Sequence, residues 1–269
     1  MRITLAQMTV VENKAENISH AQELIWQAAQ KGTDLVILPE MFCCLYTNAA
    51  FVENGEPAGG PVWTAMSQAA KKNGVYLIAG SMPEREGDRL YNTSFVFAPD
   101  GTQIARHRKA HLFDIDVPGG QRFFESETFS PGDEVTVFDT PWGKIGLCIC
   151  FDMRFPELAR AMTKKGAFLL AVPAAFNMTT GPAHWETMFR QRATDNQTYT
   201  VGVAPARDPE GPYVSYANSI LCHPWGNILA RCGDREEMVT VEVDPAETEK
   251  VRGQLPLLSS LREELYQGE

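Results

Sequence analysis

The sequence predicts a layered α/β protein in which two sheets pack face to face and helices cover their outer surfaces. Three observations predict it. Short strand-like runs alternate with helical patterns along the whole chain. Several runs, LVIL (35–38), KIGLCIC (144–150) and FLLAV (168–172), are apolar at successive positions rather than at every second one, the pattern of strands covered on both faces. No repeat of 20–50 residues, low-complexity tract or Ser/Gly-rich linker interrupts the 269 residues, so the chain reads as one domain, 1–269.

The elements follow in order. A strand is expected over 3–8. Ile18, Ala21, Leu24, Ile25 and Ala28 then recur at helical spacing, and Gly32 closes that helix. The apolar run 35–38 is a strand ended by Pro39, followed by a helix over 61–72 stopped at Asn73-Gly74 and a strand over 76–79. Asp100-Gly101 between the apolar runs 94–98 and 103–106 is a hairpin signal. Further strands are expected over 135–138, 145–149, 168–172, 200–203, 219–221 and 239–243. Helices are expected over 155–165 and 184–196, and through the acidic tail from Ala246.

Acidic residues outnumber basic ones, 34 to 24, for a formal net charge of −10. Nucleic acid and anionic membrane surfaces call for clustered cations, so neither is expected as a partner. The one basic cluster, Arg106, His107, Arg108, Lys109 and His111, is too short to track a phosphate backbone. The opening MRITLAQMTVVENK has no secretory pattern. The longest apolar run, 167–176, contains a proline and falls well short of the roughly 18 residues of a membrane span. Six cysteines in a chain this long do not make a secreted disulfide framework, and a reduced, cytoplasmic protein is expected.

Three reactive residue types share one place in this map. Glu40 follows the strand DLVILP, Lys109 follows QIARHR, and Cys150 ends KIGLCI; ligands of α/β sheets bind beyond the carboxyl ends of the strands. Each type also has a plain structural role. A Glu after Pro caps a helix or carries surface charge, a Lys in a basic run is solvated, and a Cys after an apolar strand packs in the core. Cys150 differs in its setting, because 151–158 opens a helix, whose N–H groups lower a thiol pKa and cradle an oxyanion.

L-P-E (38–40), R-K-x-H-L-F-D (108–114) and C-F-D-M-R-F-P-E-L (150–158) resemble the three motifs of the nitrilase superfamily of carbon–nitrogen hydrolases. The similarity runs on through F-x-E-S (123–126), S-P-G-D (130–133), N-M-T-T-G-P-A-H-W-E (177–186), P-A-R-D (205–208) and P-W-G (224–226), nearly the whole chain. HLFDIDVPG, PAHWE and PARD are most similar to the omega-amidase branch. The resemblance implies a four-layer α-β-β-α sandwich and a Cys–Glu–Lys triad at Cys150, Glu40 and Lys109, with a second glutamate at Glu125. It also implies a homodimer that needs no metal and no organic cofactor, and whose partner molecule is a small amide.

In that chemistry Glu40 is the base and Cys150 the nucleophile that carries a thioester. Lys109 and the backbone N–H of Phe151 receive the oxyanion, while Glu125 orients Lys109. Arg154 would clamp a substrate carboxylate bidentately, the alternative being a structural pair with Asp152 or Glu157, and Thr180 would donate a further hydrogen bond. The expected substrate is a small ω-amide acid of the 2-oxoglutaramate or 2-oxosuccinamate type, with deaminated glutathione or an N-carbamoyl amine as alternatives. Rival readings are weaker. A zinc site at Cys43, Cys44, Cys148 and Cys150 lacks any C-x₂-C pair. A Cys–His protease would survive truncation of Glu40, and an inactive scaffold of this fold would have no use for three intact triad residues. FCCLYTNAA (42–50) departs from the family pattern beside Glu40 and is expected to shape the pocket.

Overall fold

In the computed structural model, which describes residues 1–265, the first strand already separates two hydrophobic layers. β1 (Arg2–Gln7) directs Ile3 and Leu5 into one cluster and Ala6 into another, because successive side chains of a strand point to opposite faces. Ala6 joins Ala21, Leu24 and Ile25 of α1 (Lys14–Gln30). That helix begins where the Asn13 side chain accepts from the N–H groups of Ala15 and Glu16.

The first half continues through β2 (Leu35–Ile37), α2 (Asn48–Asn54), α3 (Pro61–Asn73), β3 (Tyr76–Ile78), β4 (Met82–Glu86), β5 (Arg89–Phe97) and β6 (Gln103–Arg108). A short hairpin, β7 (Asp114–Asp116) and β8 (Arg122–Phe124), stands apart from both large sheets. The second half runs through β9 (Thr136–Thr140), β10 (Gly143–Leu147), α4 (Pro156–Lys164), β11 (Ala167–Pro173), α5 (Gly181–Asn196), β12 (Tyr199–Val203), β13 (Ile220–Cys222) and β14 (Ile228–Arg231). β15 (Glu237–Glu242) and α6 (Ala246–Gln254) follow.

One sheet has the order β15-β1-β2-β3-β5-β4, with β6 on the other side of β5, and the second has the order β14-β13-β12-β11-β10-β9. Each is built around three parallel strands, β1, β2 and β3 in the first and β10, β11 and β12 in the second. Ile3, Leu5, Ile37 and Ile78 of the first sheet share a core with Ile145, Leu147, Leu169 and Val201 of the second. The opposite faces pack on helices: Val36 and Leu77 with α1 and α3, Leu170 and Val172 with α4 and α5. Both faces of the central strands are dry, which is why their sequences are continuously apolar. The arrangement is the four-layer α-β-β-α sandwich of the nitrilase type.

The expected strands and helices are present with boundaries moved by a few residues, and the Asp100-Gly101 hairpin pairs β5 with β6. One helix and four strands go beyond the sequence expectation: α2, β4, β7, β8 and β14. Cys150 does not end a strand. β10 stops at Leu147, and Cys150 begins a 3₁₀ turn, Cys150–Arg154, that precedes α4. The helix from Ala246 ends at Gln254, and the last residues of the acidic tail, 266–269, lie outside the described residues. Among the described residues no helix is long and apolar enough to cross a membrane.

Glu40 owes its place to a crossing of two turns. Met41 has φ 53° and Gly80 has φ 45°. The Ser81 hydroxyl accepts from the Met41 N–H at 3.1 Å, and the Ser81 N–H donates to the Pro39 carbonyl at 3.3 Å. A Cβ on Gly80 would lie 2.0 Å from the Pro39 oxygen. Gly80→Ala therefore meets both a positive φ and a backbone clash, and about 3 kcal/mol of destabilisation is expected. Thermal melting checks this, with the Gly74→Ala protein, where nothing lies within 4 Å of the new methyl, as the comparison for positive φ alone.

Candidate active site

Four charged or nucleophilic side chains meet at the loops beyond β2, β6, β8 and β10, and all four are buried: Glu40, Lys109, Glu125 and Cys150. Lys109 follows β6, with its N–H donating to the Asn92 carbonyl of β5 at 2.8 Å and its carbonyl accepting from the Gly132 N–H at 2.9 Å. Gly132, in the S-P-G-D motif, leaves no room for a side chain, since its Cβ would lie 2.3 Å from the Arg108 carbonyl oxygen. That motif therefore serves as a floor under the lysine.

The Lys109 ammonium donates to Glu40 Oε1 at 2.9 Å and to Glu125 Oε1 at 3.0 Å, with Glu125 Oε2 in ion-pair contact at 2.8 Å. Burial opposes its charge, but Glu125 and Glu40 outweigh burial and hold its pKa above the ordinary lysine range. Glu125 also accepts from the Phe113 N–H at 2.7 Å and the Tyr46 hydroxyl at 2.6 Å. Nearby Glu127 is exposed, so Glu125 is the acid that reaches the lysine. On Glu40, Oε1 takes the donations of Lys109 and of the Asn92 side chain at 2.8 Å and lies 3.3 Å from the Tyr46 hydroxyl. Oε2 is buried and takes none of these, and the Cys150 thiol is the remaining hydrogen-bonding neighbour of the carboxylate.

Cys150 has φ 45°, a left-handed conformation that costs a non-glycine residue about 1–3 kcal/mol. Asp152, two residues on, holds the turn. It accepts from the Ile149 N–H at 3.1 Å and from the His111 N–H at 2.9 Å, and its oxygens lie 3.0 Å from His107 Nε2 and 2.7 Å from His111 Nδ1. One carboxylate thus ties the cysteine turn to the segment that carries Lys109. Burial works against its charge, yet the bonds from His107 and His111 hold its pKa below the usual carboxylate range. Arg192 adds two donations, to the carbonyls of Met153 at 3.1 Å and Arg154 at 3.0 Å.

Burial, then the Glu40 charge, pushes the Cys150 thiol well above its ordinary pKa, against Lys109 and a hydrogen bond from the Ala175 N–H. The thiol is neutral at pH 7, contrary to the lowering expected from the helix start, because the desolvation of a buried sulfur exceeds what a short 3₁₀ turn returns. Glu40 is also raised, first by burial, with Lys109 pulling the other way.

A narrow crevice, closed to a water-sized molecule in this conformation, lies beside Cys150 between Phe113, Phe151, Arg154, Ala175, Phe176 and Thr180. Arg154 pairs with neither Asp152 nor Glu157 and makes no ion pair among the described residues; its Nη1 lies 3.0 Å from His184 Nδ1, and its guanidinium lies 4.7 Å from the Phe176 ring centre. Thr180 stands before α5 with its hydroxyl donating to Asn177 at 3.1 Å. The Phe151 N–H opens the 3₁₀ turn, where helix geometry leaves donors without an internal acceptor. The four thiols of the zinc alternative divide between two clusters, Cys43 and Cys44 in one, Cys148 and Cys150 in the other.

Sequence reasoning missed Tyr46, Asn92 and the Asp152 clamp. Asn92 had a signal: Asn-Thr-Ser at 92–94 is a buried polar run inside a strand, and buried polar groups have partners to meet.

The family model of carbon–nitrogen hydrolases matches residues 2–253. The chain is 48% identical to the protein named omega-amidase NIT2 from Xenopus tropicalis and 45% identical to that from Homo sapiens, in each case over 98% of this chain and 96% of that protein. Among solved structures, Nit3 of Saccharomyces cerevisiae, a member of branch 10 of the nitrilase superfamily, is 38% identical with TM-score 0.89, covering 97% of this chain and 96% of that one. The NitFhit protein of C. elegans is 33% identical with TM-score 0.88, covering 99% of this chain and 66% of that one.

Replacing Lys109 by Met would bury two carboxylates without a cation. A loss of about 3–5 kcal/mol at pH 7 is expected in urea unfolding. Both carboxylates would then bind protons more tightly in the folded state than in the unfolded one, so stability should recover as the pH falls through their raised pKa.

Proposed function

The chain belongs to the carbon–nitrogen hydrolase family, and from that premise we propose that this amidohydrolase is an omega-amidase, releasing ammonia from a small ω-amide acid through a thioester on Cys150. The observation that carries the mechanism is the bare Oε2 of Glu40 beside a thiol that is neutral at pH 7. Glu40 takes the Sγ–H proton as sulfur attacks the amide carbon, forming the C–S bond. A raised carboxylate pKa suits this exchange, because proton transfer is easiest between groups of nearer pKa. Two hydrogens of Lys109 are spent on Glu40 and Glu125, which leaves the third, together with the Phe151 N–H, for the oxyanion.

Collapse of the adduct breaks the C–N bond. Glu40 returns its proton to the nitrogen, and ammonia leaves a thioester. Glu40 then removes a proton from water as the water oxygen attacks the same carbon. The C–S bond breaks, sulfur regains its proton, and the carboxylic acid departs. The Arg154 guanidinium, with no carboxylate of its own and a wall of the crevice beside it, suits the substrate's distal carboxylate, and the Thr180 hydroxyl, turned from Asn177 to the substrate, adds a second donor. The reading extends to one domain spanning 1–269 that works as a cytoplasmic homodimer; sedimentation at micromolar concentration tests the assembly.

Ammonia release is to be measured from 2-oxoglutaramate and succinamate beside deaminated glutathione and an N-carbamoyl amine, with Cys150→Ala as the control. The ω-amides should win and the control should be silent. Preference for either of the other substrates would overturn the omega-amidase assignment while keeping the family. With Arg154→Ala, kcat/KM for a carboxylated ω-amide should fall by about 30- to 100-fold, the worth of a lost charge-assisted pair, while a neutral amide of the same length changes little.

A further inference from the structure

Two glutamates share one ammonium, and the fold must decide which of them is the base. We propose that Tyr46 makes that decision: as a positioning residue it saturates Glu125 with a hydroxyl donation, leaving Glu40 as the carboxylate with an oxygen free to exchange protons. The proposal rests on the assignment of Glu40 as base and adds to it a residue outside the triad.

The donor count separates the two acids. Glu125 receives Lys109 on Oε1 with Oε2 in ion-pair contact, the Phe113 N–H on Oε2 and the Tyr46 hydroxyl on Oε1 at 2.6 Å. Glu40 receives Lys109 and Asn92 on Oε1, where the Tyr46 oxygen lies 3.3 Å away, while Oε2 takes none of these and the carboxylate's remaining hydrogen-bonding neighbour is the Cys150 thiol. A phenol carries a single proton, so donation at 2.6 Å to Glu125 uses it. Pairs of carboxylates take separate acid and base roles when their surroundings push their proton affinities apart, and a short hydrogen bond to one of them does so.

Tyr46 is held for this work. Its ring packs edge-on against Phe51 with centres 5.1 Å apart, and lies 4.4 Å from Tyr213 and 5.6 Å from Phe123. The Tyr213 hydroxyl donates to the Ala175 carbonyl, whose own residue's N–H reaches the Cys150 sulfur. The titratable groups facing the pair from the surrounding elements are Lys109 after β6, Cys150 after β10, and the phenols of Tyr46 and Tyr213. Burial raises both phenols far above neutrality, so Tyr46 remains a donor across the working range.

The test is the pH dependence of Cys150 alkylation by iodoacetamide, followed by mass spectrometry of the Cys150 peptide, alongside kcat/KM for the preferred amide. Tyr46→Phe keeps the ring and removes only the hydroxyl. Loss of the donation makes the carboxylate pair more basic, so the acid limb of both profiles should rise by about one pH unit, with KM unchanged. Tyr46→3-fluorotyrosine, a stronger donor of the same shape, should move the limb down, and it carries the test should the Phe variant fail to fold. An unmoved limb, with rates lowered by one factor at every pH, would overturn the proposal, as would a Glu40→Gln protein whose alkylation keeps the wild-type limb. Alkylation needs no substrate, so silence towards every amide would sink the substrate reading without touching this result.

Discussion

A fully buried lysine between two buried glutamates is the constraint on which the rest of the site depends. Removing three charges from water is costly, and the arrangement persists because nearly every lone pair and proton has a partner. Asn92, Tyr46 and the Phe113 N–H complete what the ion pairs begin. Two buried oxygens of this network are left over, Asn92 Oδ1 and Glu40 Oε2, and only the second belongs to a group that can take a proton. In a network this complete, an unsatisfied acceptor is where proton affinity accumulates, so the place of reaction is set by subtraction.

The same economy governs the nucleophile. A left-handed cysteine is strained, and the Asp152 carboxylate and Arg192 guanidinium, both buried, spend their hydrogen bonds on holding its turn. Because Asp152 also grips His107 and His111, flanking Lys109, the strain at one motif is balanced against the placement of another. The two sheets supply rigidity, since each central strand is packed on both faces. The loops beyond them have little freedom left once the clamps close.

The layers were legible because their physics is periodic. Strands such as LVIL and FLLAV announce two dry faces, and α1 shows its buried stripe at helical spacing. The motif residues were singled out by resemblance, and the fold places Glu40, Lys109, Glu125 and Cys150 side by side. What escaped notice was short or aperiodic. α2 has seven residues, the first three of them in the stretch that departed from the family pattern, and β7 and β8 have three each. Tyr46 lies in that departing stretch, and its partner Glu125 is 79 residues away, a separation no local pattern reports. The thiol was misjudged for a related reason: the sequence reveals a helix start, while the burial that outweighs it is a property of the assembled layers.

The lysine and its first glutamate are 69 residues apart in the chain, and the cysteine belongs to the other sheet. The charge network lies wholly before β9, and only the cysteine and its turn come from the second half. As the polypeptide leaves the ribosome, the strand ending at Glu40 is therefore made long before any cation can neutralise it, and the sulfur comes later still. Closure of the long loops has to precede the contacts that reward it, so competence arrives as a late, all-at-once event of folding. Until then the base has no fixed direction and the thiol no base, and an unfinished chain is chemically quiet.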